Sequence, residues 1–383
     1  MKEYIKRNNW NERNFKAINA LIDKYGRQNP TYDVTHKPFA VFDWDNTSII
    51  GDVEETLLAY MVIRLKFKMN PDELFEVISK DVDVDSFNYK YVNLDGKGID
   101  FENLCLDIRD AYEKLYGTFE GLGGDLSFDI IKETNVYKEF TTKMLFRYDK
   151  ASPIENSYCW MSYLLKNYRK DEIGSLCAEA NEFFKQIPIS RAYFESFDME
   201  SRVGRLKLYY DVGIRVIDEM VDLYHSLEKN GIDVYIVSAS FVEIVREFAT
   251  NISNSYGFDK EKVLGLRLKY DDEGKVLAEI DKNFPKTQNE GKVVAIEDFI
   301  RNDKVYGPIM VGGDSAGDRN MLCSYEETDL RLIIDRNSPK NIEDLKKRAL
   351  DGEVGYYLQA RDEKKGIFIR DERSKEERNN YVF

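Results

Sequence analysis

The sequence predicts an α/β protein, built on a parallel sheet with helices between its strands and a long helical stretch after the first strand. Three observations lead there. Short apolar runs at Pro38–Phe42, Val234–Val237 and Pro308–Val311 have the length and composition of buried strands. Helical patterns alternate with the later runs, as in a chain that crosses over between parallel strands. From about Phe67 to Tyr210 the apolar positions recur mostly at spacings of three and four. At 383 residues the chain is long enough for two domains, each with its own core.

Taken in order, the first 26 residues place Tyr4, Ile5, Phe15, Ile18, Leu21 and Ile22 at helical spacing and read as a surface helix. They lack the uninterrupted apolar centre of a secretory signal, so the expected address is the cytoplasm. After the strand Pro38–Phe42 comes Asp43-Trp44-Asp45-Asn46-Thr47. If strand geometry persists, Asp43 and Asp45 point to one side and Trp44 to the other. A polar strand end leading into a turn fits these residues as well as a catalytic pair does.

A helix beginning near Asp52 carries acids in its first turn. Asp52 reads as its N-cap; alternatively Asp52, Glu54 or Glu55 meets a cationic group on a ligand. Within the helical stretch, Asn70 before Pro71 marks a helix start. Asp81–Asp85 and Asn93–Gly98 are acidic loops that do not fit an EF-hand: one lacks the turn glycine, and the other has Leu104 where the bidentate Glu belongs. The aromatic clusters Phe87–Tyr91, containing Tyr89 and Tyr91, and Tyr158-Cys159-Trp160 read as core. Their ring faces would also suit a cationic ligand.

Ile214, Ile217, Met220, Val221, Tyr224 and Leu227 then mark one helix face, stopped by Asn230-Gly231. The strand Val234–Val237 ends at Ser238, and a helix follows from Phe241 to Phe248. Leu264–Tyr270 and Lys275–Ile280 flank Asp271-Asp272-Glu273-Gly274, and together predict a hairpin. Lys292 lies at the start of a helix reaching about Ile300. The strand Pro308–Val311 runs into Gly312-Gly313-Asp314-Ser315-Ala316-Gly317-Asp318. A strand at Leu330–Ile334 and a helix at Ile342–Leu350 complete the pattern, and the charged last dozen residues are expected to fray or lie on the surface.

Composition narrows the chemistry. A net charge of −14 with no basic stripe argues against nucleic acid as partner. No apolar run approaches the ~20 residues of a membrane span. The four cysteines are scattered without a C-x-x-C pair, and His36 and His225 are the only histidines. Zinc sites and histidine-based nucleophilic catalysis are therefore poorly supplied. What remains is carboxylate, hydroxyl and lysine chemistry around a hard cation.

Three strands end in polar residues: Asp43 and Asp45, Ser238, and Asp314 with Asp318. In a parallel sheet these ends converge on one edge. Two carboxylates at 4 Å repel by about 4 kcal/mol at an effective dielectric near 20, so the group needs a cation. Oxygen donors alone select Mg²⁺, which usually accompanies phosphate.

Asp43-x-Asp45-x-Thr47, Ser238 after its strand, Lys292, and Gly313-Asp314-Ser315-x-x-Asp318 resemble, in order, the four motifs of the haloacid dehalogenase superfamily of phosphohydrolases. Phe42–Ser48 with Asp52-x-Glu54-Glu55, and Gly231–Ala239, are similar to bacterial phosphorylcholine phosphatases.

The resemblance implies a Rossmann-like parallel-sheet core with a large, mostly helical cap inserted after the first strand. Residues 1–55 and 213–383 would form the core, and residues 56–212 a cap that closes over the site. It implies Asp43 as nucleophile forming an aspartyl-phosphate, and Asp45 as general acid and base. Thr47 would brace the loop at the phosphate site, where Ser238 and Lys292 hold the phosphoryl group. Asp43, the Asp45 carbonyl, Asp314 and Asp318 would ligate Mg²⁺. An acid at Asp45 also speaks against carbon–halogen cleavage, whose leaving group needs no proton.

The expected activity is Mg²⁺-dependent hydrolysis of a small cationic phosphate ester, phosphocholine or phosphoethanolamine, with Asp52, Glu55, Tyr89 and Tyr91 as candidate substrate contacts. A phosphoserine-type phosphatase or a phosphotransferase is the alternative within the class. A non-catalytic module binding phosphorylated ligands is the alternative outside it.

Overall fold

The computed structural model describes residues 2–152, 160–197, 199–336, 342–375 and 377–383. The chain divides into two units. One comprises Met1–Val53, Gly213–Arg267 and Asp281–Arg378; the other comprises Glu54–Val212, Leu268–Ile280 and Asn379–Phe383. The hairpin and the last five residues, expected in the core, pack with the inserted unit instead.

The first unit is built on a seven-stranded sheet. Its spatial order is Ile367–Phe368, Tyr356–Asp362, Leu330–Asp335, Met310–Gly313, Phe39–Phe42, Asp233–Phe241 and Val263–Leu266. All neighbours are parallel except the antiparallel edge strand Ile367–Phe368. The strand Phe39–Phe42 is fully buried in the middle, with Phe42 opposite Gly312 on one side and Ile236 on the other. The chain leaves it first to one side and later to the other. That reversal makes the carboxyl end of Phe39–Phe42 the place where ligands gather in such sheets. Phe39, Val41, Val311 and Ile333 bury one face against Ala295 and Ile296 of the helix Glu290–Phe299.

The first helix runs Glu12–Tyr25, with Asn11 capping it by accepting from the Arg13 N–H. It begins later than the spacing from Tyr4 suggests, because the cap residue is Asn11. Phe15, Ile18, Leu21 and Ile22 are buried, and Asn14 donates to the Leu358 carbonyl. The run Leu264–Tyr270 is not one strand. Val263–Leu266 joins the core sheet, and only Leu268–Tyr270 pairs with Val276–Ile280. The strand Tyr356–Asp362 has no counterpart in the sequence reading. It buries Gln359 and Arg361 beside its apolar residues, which breaks the apolar pattern that would have revealed it.

The second unit holds the helices Pro71–Ser79, Phe101–Tyr116, Asn135–Lys150 and Lys170–Gln186. Asn70 and Glu73 form the capping box expected before Pro71. Asp83 caps a short helix, and the Asn93 side chain accepts from Asp95 and Lys97, so both acidic loops are closed by their own turns. Phe67, Tyr112 and Phe140 form an aromatic core. This unit is not wholly helical. Ser190–Glu195 pairs antiparallel with Lys207–Val212, and Asn379–Tyr381 adds a parallel strand. The last residues therefore do not fray: Phe383 packs on Phe183 and Phe194. Their charged sequence hides a strand stabilised by its partner rather than by its own pattern. Tyr158 and Cys159 lie outside the described residues; Trp160 is buried. No helix among the described residues is long and apolar enough to cross a membrane.

Removing Asn379–Phe383 strips one strand and one ring from this unit. Phe383 is about half buried, so losing its packing costs about 1 kcal/mol, or about 2–4 °C in a unit of this size. Calorimetry of the truncated chain should show that fall; an unchanged midpoint would contradict the pairing.

Candidate active site

The backbone at Asp43 continues the ladder by one bond, donating to the Gly312 carbonyl at 3.0 Å. The chain then turns. The N–H groups of Thr47 and Ser48 both bond the Trp44 carbonyl, and Asn46 takes a left-handed conformation at φ 59°. Trp44 goes into an aromatic cluster with Phe248, Tyr256 and Phe258. Asp43 and Asp45 go instead into a buried polar site.

Asp43 Oδ1 accepts from Lys292 Nζ at 2.5 Å, and the same ammonium reaches Asp318 Oδ1 at 2.7 Å. Lys292 is delivered by the first turn of the helix Glu290–Phe299 and is 1% exposed. Burial works against its charge, but Asp318 and Asp43 outweigh burial and push its pKa up. Asp318 Oδ2 accepts from the backbone N–H groups of Asp314 and Ser315, both at 3.0 Å, so it closes the loop it ends. Gly313 permits this. A Cβ there would stand 2.6 Å from the Asp318 Cβ. Thr47 Oγ1 donates to Asp314 Oδ1 at 3.0 Å and lies 3.4 Å from Asp43 Oδ2. Arg336, at the end of the neighbouring strand, reaches Asp314 Oδ2 at 3.4 Å.

Asp43, Asp314 and Asp318 present oxygens within 4.8 Å of one another, the one such group of potential metal ligands among the described residues. All three are buried. Burial first, then the neighbouring Asp318 and Asp314 charges, hold the Asp43 carboxyl well above the usual carboxylate range, despite Lys292. Asp314 is raised too, by burial and by Asp318, against the pull of Arg336 and Arg361. Oxygen donors alone, crowded and short of positive charge, suit a hard divalent cation.

The Asp45 side chain is held separately. Oδ1 accepts from the Val53 N–H at 2.8 Å, at the start of the helix Val53–Arg64. Oδ2 accepts from Ser240 Oγ at 2.7 Å and Ser238 Oγ at 3.3 Å. Burial, Asp52 and Asp43 raise its pKa well above the ordinary value, which favours a carboxyl able to donate a proton. Behind the turn, Ser48 donates to the Asp43 carbonyl at 2.5 Å and meets the Tyr224 hydroxyl. Arg361, buried and paired with Glu363, donates to the Asn46 carbonyl at 3.0 Å and reaches its side-chain oxygen at 3.3 Å.

Asp43, Asp45, Thr47, Ser238, Lys292, Asp314 and Asp318 thus share one end of one sheet. Asp52 sits in the same unit, near enough to Asp45 to raise its pKa. Glu55, Tyr89 and Tyr91 belong to the other unit. The Tyr91 hydroxyl donates to the Lys150 carbonyl, and its ring packs on Phe87 and Phe146. Tyr89 is 71% exposed. The Glu55 carbonyl accepts from the Tyr210 hydroxyl. Ser240 and Arg361 were not foreseen. Ser240 had a signal: it stands two residues after Ser238 on one strand, on the same side. Arg361 had none, since its partner lies 315 positions away in sequence.

No family model matches the chain. It is 23% identical over 324 residues to the phosphorylcholine phosphatase of Pseudomonas aeruginosa, covering 78% of this chain and 72% of that protein. It is 29% identical over 125 residues to the chloroplastic phosphoserine phosphatase of Arabidopsis thaliana, covering 30% of this chain and 40% of that one. A crystal structure of a protein of unknown function from Anaerococcus prevotii superposes with a TM-score of 0.96, at 49% identity, over 99% of this chain and 100% of that chain. The four ordered motifs thus meet at the switch point of a parallel sheet, in a chain similar to two proteins named as phosphatases.

Proposed function

We propose that this chain is a phosphatase of the haloacid dehalogenase superfamily and hydrolyses a small cationic phosphate monoester, such as phosphocholine or phosphoethanolamine, through an aspartyl-phosphate on Asp43 and with Mg²⁺. One observation carries the mechanism. Asp43 lies against Lys292 and the acidic ligand group, while Asp45, two residues on, is held apart by its own donors.

In this reading an Asp43 oxygen attacks phosphorus and the ester oxygen leaves with the Asp45 proton. Asp45 then takes a proton from water as that water attacks the aspartyl-phosphate and frees Asp43. Lys292 and Ser238 hold the phosphoryl oxygens, where the transition state carries its charge. Thr47 keeps the carboxylates in place. Asp43, Asp314, Asp318 and the Asp45 carbonyl would hold Mg²⁺, whose charge would offset the crowded carboxylates and the phosphoryl oxygens.

The choice of substrate is supported by the likeness of Phe42–Ser48 and Asp52-x-Glu54-Glu55 to phosphorylcholine phosphatases and by the relative of that name. Phosphoserine hydrolysis is the second reading, favoured by the shorter match to a phosphoserine phosphatase. A module that only binds a phosphorylated ligand would not need both Asp43 and Asp45.

Asp43→Asn should abolish turnover of p-nitrophenyl phosphate, and Asp45→Asn should slow alkyl ester hydrolysis by about 10²–10⁴-fold. Full turnover by Asp43→Asn would sink the mechanism. Across phosphocholine, phosphoethanolamine, phosphoserine and sugar phosphates, kcat/KM should be highest for the first two. A sugar phosphate ahead by orders of magnitude would overturn the substrate.

The raised carboxyls also predict a pH dependence. In the folded state Asp43, Asp45 and Asp314 keep protons that the unfolded chain releases near pH 3.9. Each therefore costs stability as pH rises from about 4 through its folded value. Metal-free protein should melt lower at pH 8 than at pH 5. Mg²⁺ at 100 times its Kd, adding about 2.7 kcal/mol, should recover more at pH 8. Equal Mg²⁺ effects at both pH values, or none, would contradict a site made of these carboxylates.

A further inference from the structure

We propose that Ser240 is a positioning residue for proton transfer. Together with the Val53 N–H it turns the Asp45 carboxyl so that Oδ2 is the oxygen exchanging a proton, first with the ester oxygen and then with water. This rests on the reading of Asp45 as acid and base.

The two oxygens of Asp45 have different partners. Oδ1 accepts from the Val53 amide, which can only donate, so a proton on Oδ1 would weaken that bond. Oδ2 faces two hydroxyls, and a hydroxyl both donates and accepts. Such a partner can turn as Oδ2 gains or loses its proton; an amide cannot. Of the two hydroxyls, Ser240 is the closer, at 2.7 Å against 3.3 Å for Ser238. Ser238 Oγ already accepts from the Ser240 N–H at 3.1 Å, and its proton is wanted by the phosphoryl group. Ser240 is 6% exposed, so the contact is made away from bulk water.

The backbone is shaped to bring Ser240 there. The pairing of Asp233–Phe241 with Val263–Leu266 shifts register between Val237 and Phe241, the segment that contains both serines. Irregularities of this kind re-aim side chains beside active sites. Gly265 on the neighbouring strand allows the close approach, since a Cβ there would stand 2.8 Å from the Ser240 carbonyl oxygen.

The steps balance. As the bond from Asp43 to phosphorus forms and the ester P–O bond breaks, the leaving oxygen takes the proton from Asp45 Oδ2. The Ser240 hydroxyl then donates to the carboxylate that remains. In the second displacement, water gives a proton to Oδ2, its oxygen bonds phosphorus, and the bond to Asp43 breaks. Asp45 ends protonated and Asp43 free, as at the start.

The test compares leaving groups in the full-length chain with Mg²⁺. p-Nitrophenol leaves with little help from an acid, whereas an alkoxide needs its proton. Ser240→Ala should therefore lower kcat/KM for the best alkyl ester of the panel by about tenfold more than for p-nitrophenyl phosphate. Ser240→Thr, which keeps the hydroxyl, should restore the ratio. Asp45→Asn should show the same selective loss in larger degree. An equal loss on both substrates in Ser240→Ala, with a selective loss in Asp45→Asn, overturns the role of Ser240 alone. Equal losses in Asp45→Asn as well overturn the reading of Asp45, and this proposal with it. Should the alanine variant fail to fold, Ser240→Cys, whose thiol is a weak donor, makes the same comparison.

Discussion

The interaction on which this structure depends is the contest between burial and charge at the end of the strand Phe39–Phe42. Asp43, Asp45, Asp314 and Asp318 are all buried, and Lys292 is the one ammonium set among Asp43 and Asp318. Carboxylates so close and so dry do not ionise together without compensation. The site answers with donors fixed in advance: two backbone N–H groups on Asp318, one on Asp45, and hydroxyls from Thr47, Ser238 and Ser240. The remaining shortfall of positive charge is what the proposed divalent cation would offset.

That contest divides the carboxylates by environment. Asp43 and Asp314 belong to the crowded group. Asp45, though only two residues from Asp43, is turned toward a helix start and a pair of serines. Two identical side chains thereby acquire different surroundings, as the proposed division between nucleophile and acid requires. The turn that separates them needs Asn46 in a left-handed conformation, and the buried pair Arg361 and Glu363 clasps that residue from the far strand. Breaking one partner of such a buried pair is costly, because it leaves the other charged and unpaired.

The inserted unit follows different physics. Its helices are held by aromatic packing and by Lys143, wholly buried between Asp107, Ser201 and Glu139. Its small sheet is completed by residues from the far end of the sequence, so a unit called an insert also depends on the last strand.

How much of this could be read beforehand follows from where each interaction originates. Strand ends that finish in Asp43, Ser238 and Asp314, and a helix opening near Lys292, are local patterns: an apolar run, a polar residue, a change of period. From them the sequence predicted the parallel sheet and the polar residues that gather at its carboxyl edge. Tertiary structure alone decided the rest. Arg361 and Gln359 are buried polar residues whose partners are hundreds of positions away or on another element, so their strand carries no periodic signature. Asn379–Tyr381 looks like a solvated tail until Ser190–Ala192 offers it a ladder. Tyr91 gives its hydroxyl to the Lys150 carbonyl and packs its ring beside Phe87 and Phe146, partners no local pattern names. Patterns along the chain report what a residue needs; only packing decides which partner supplies it.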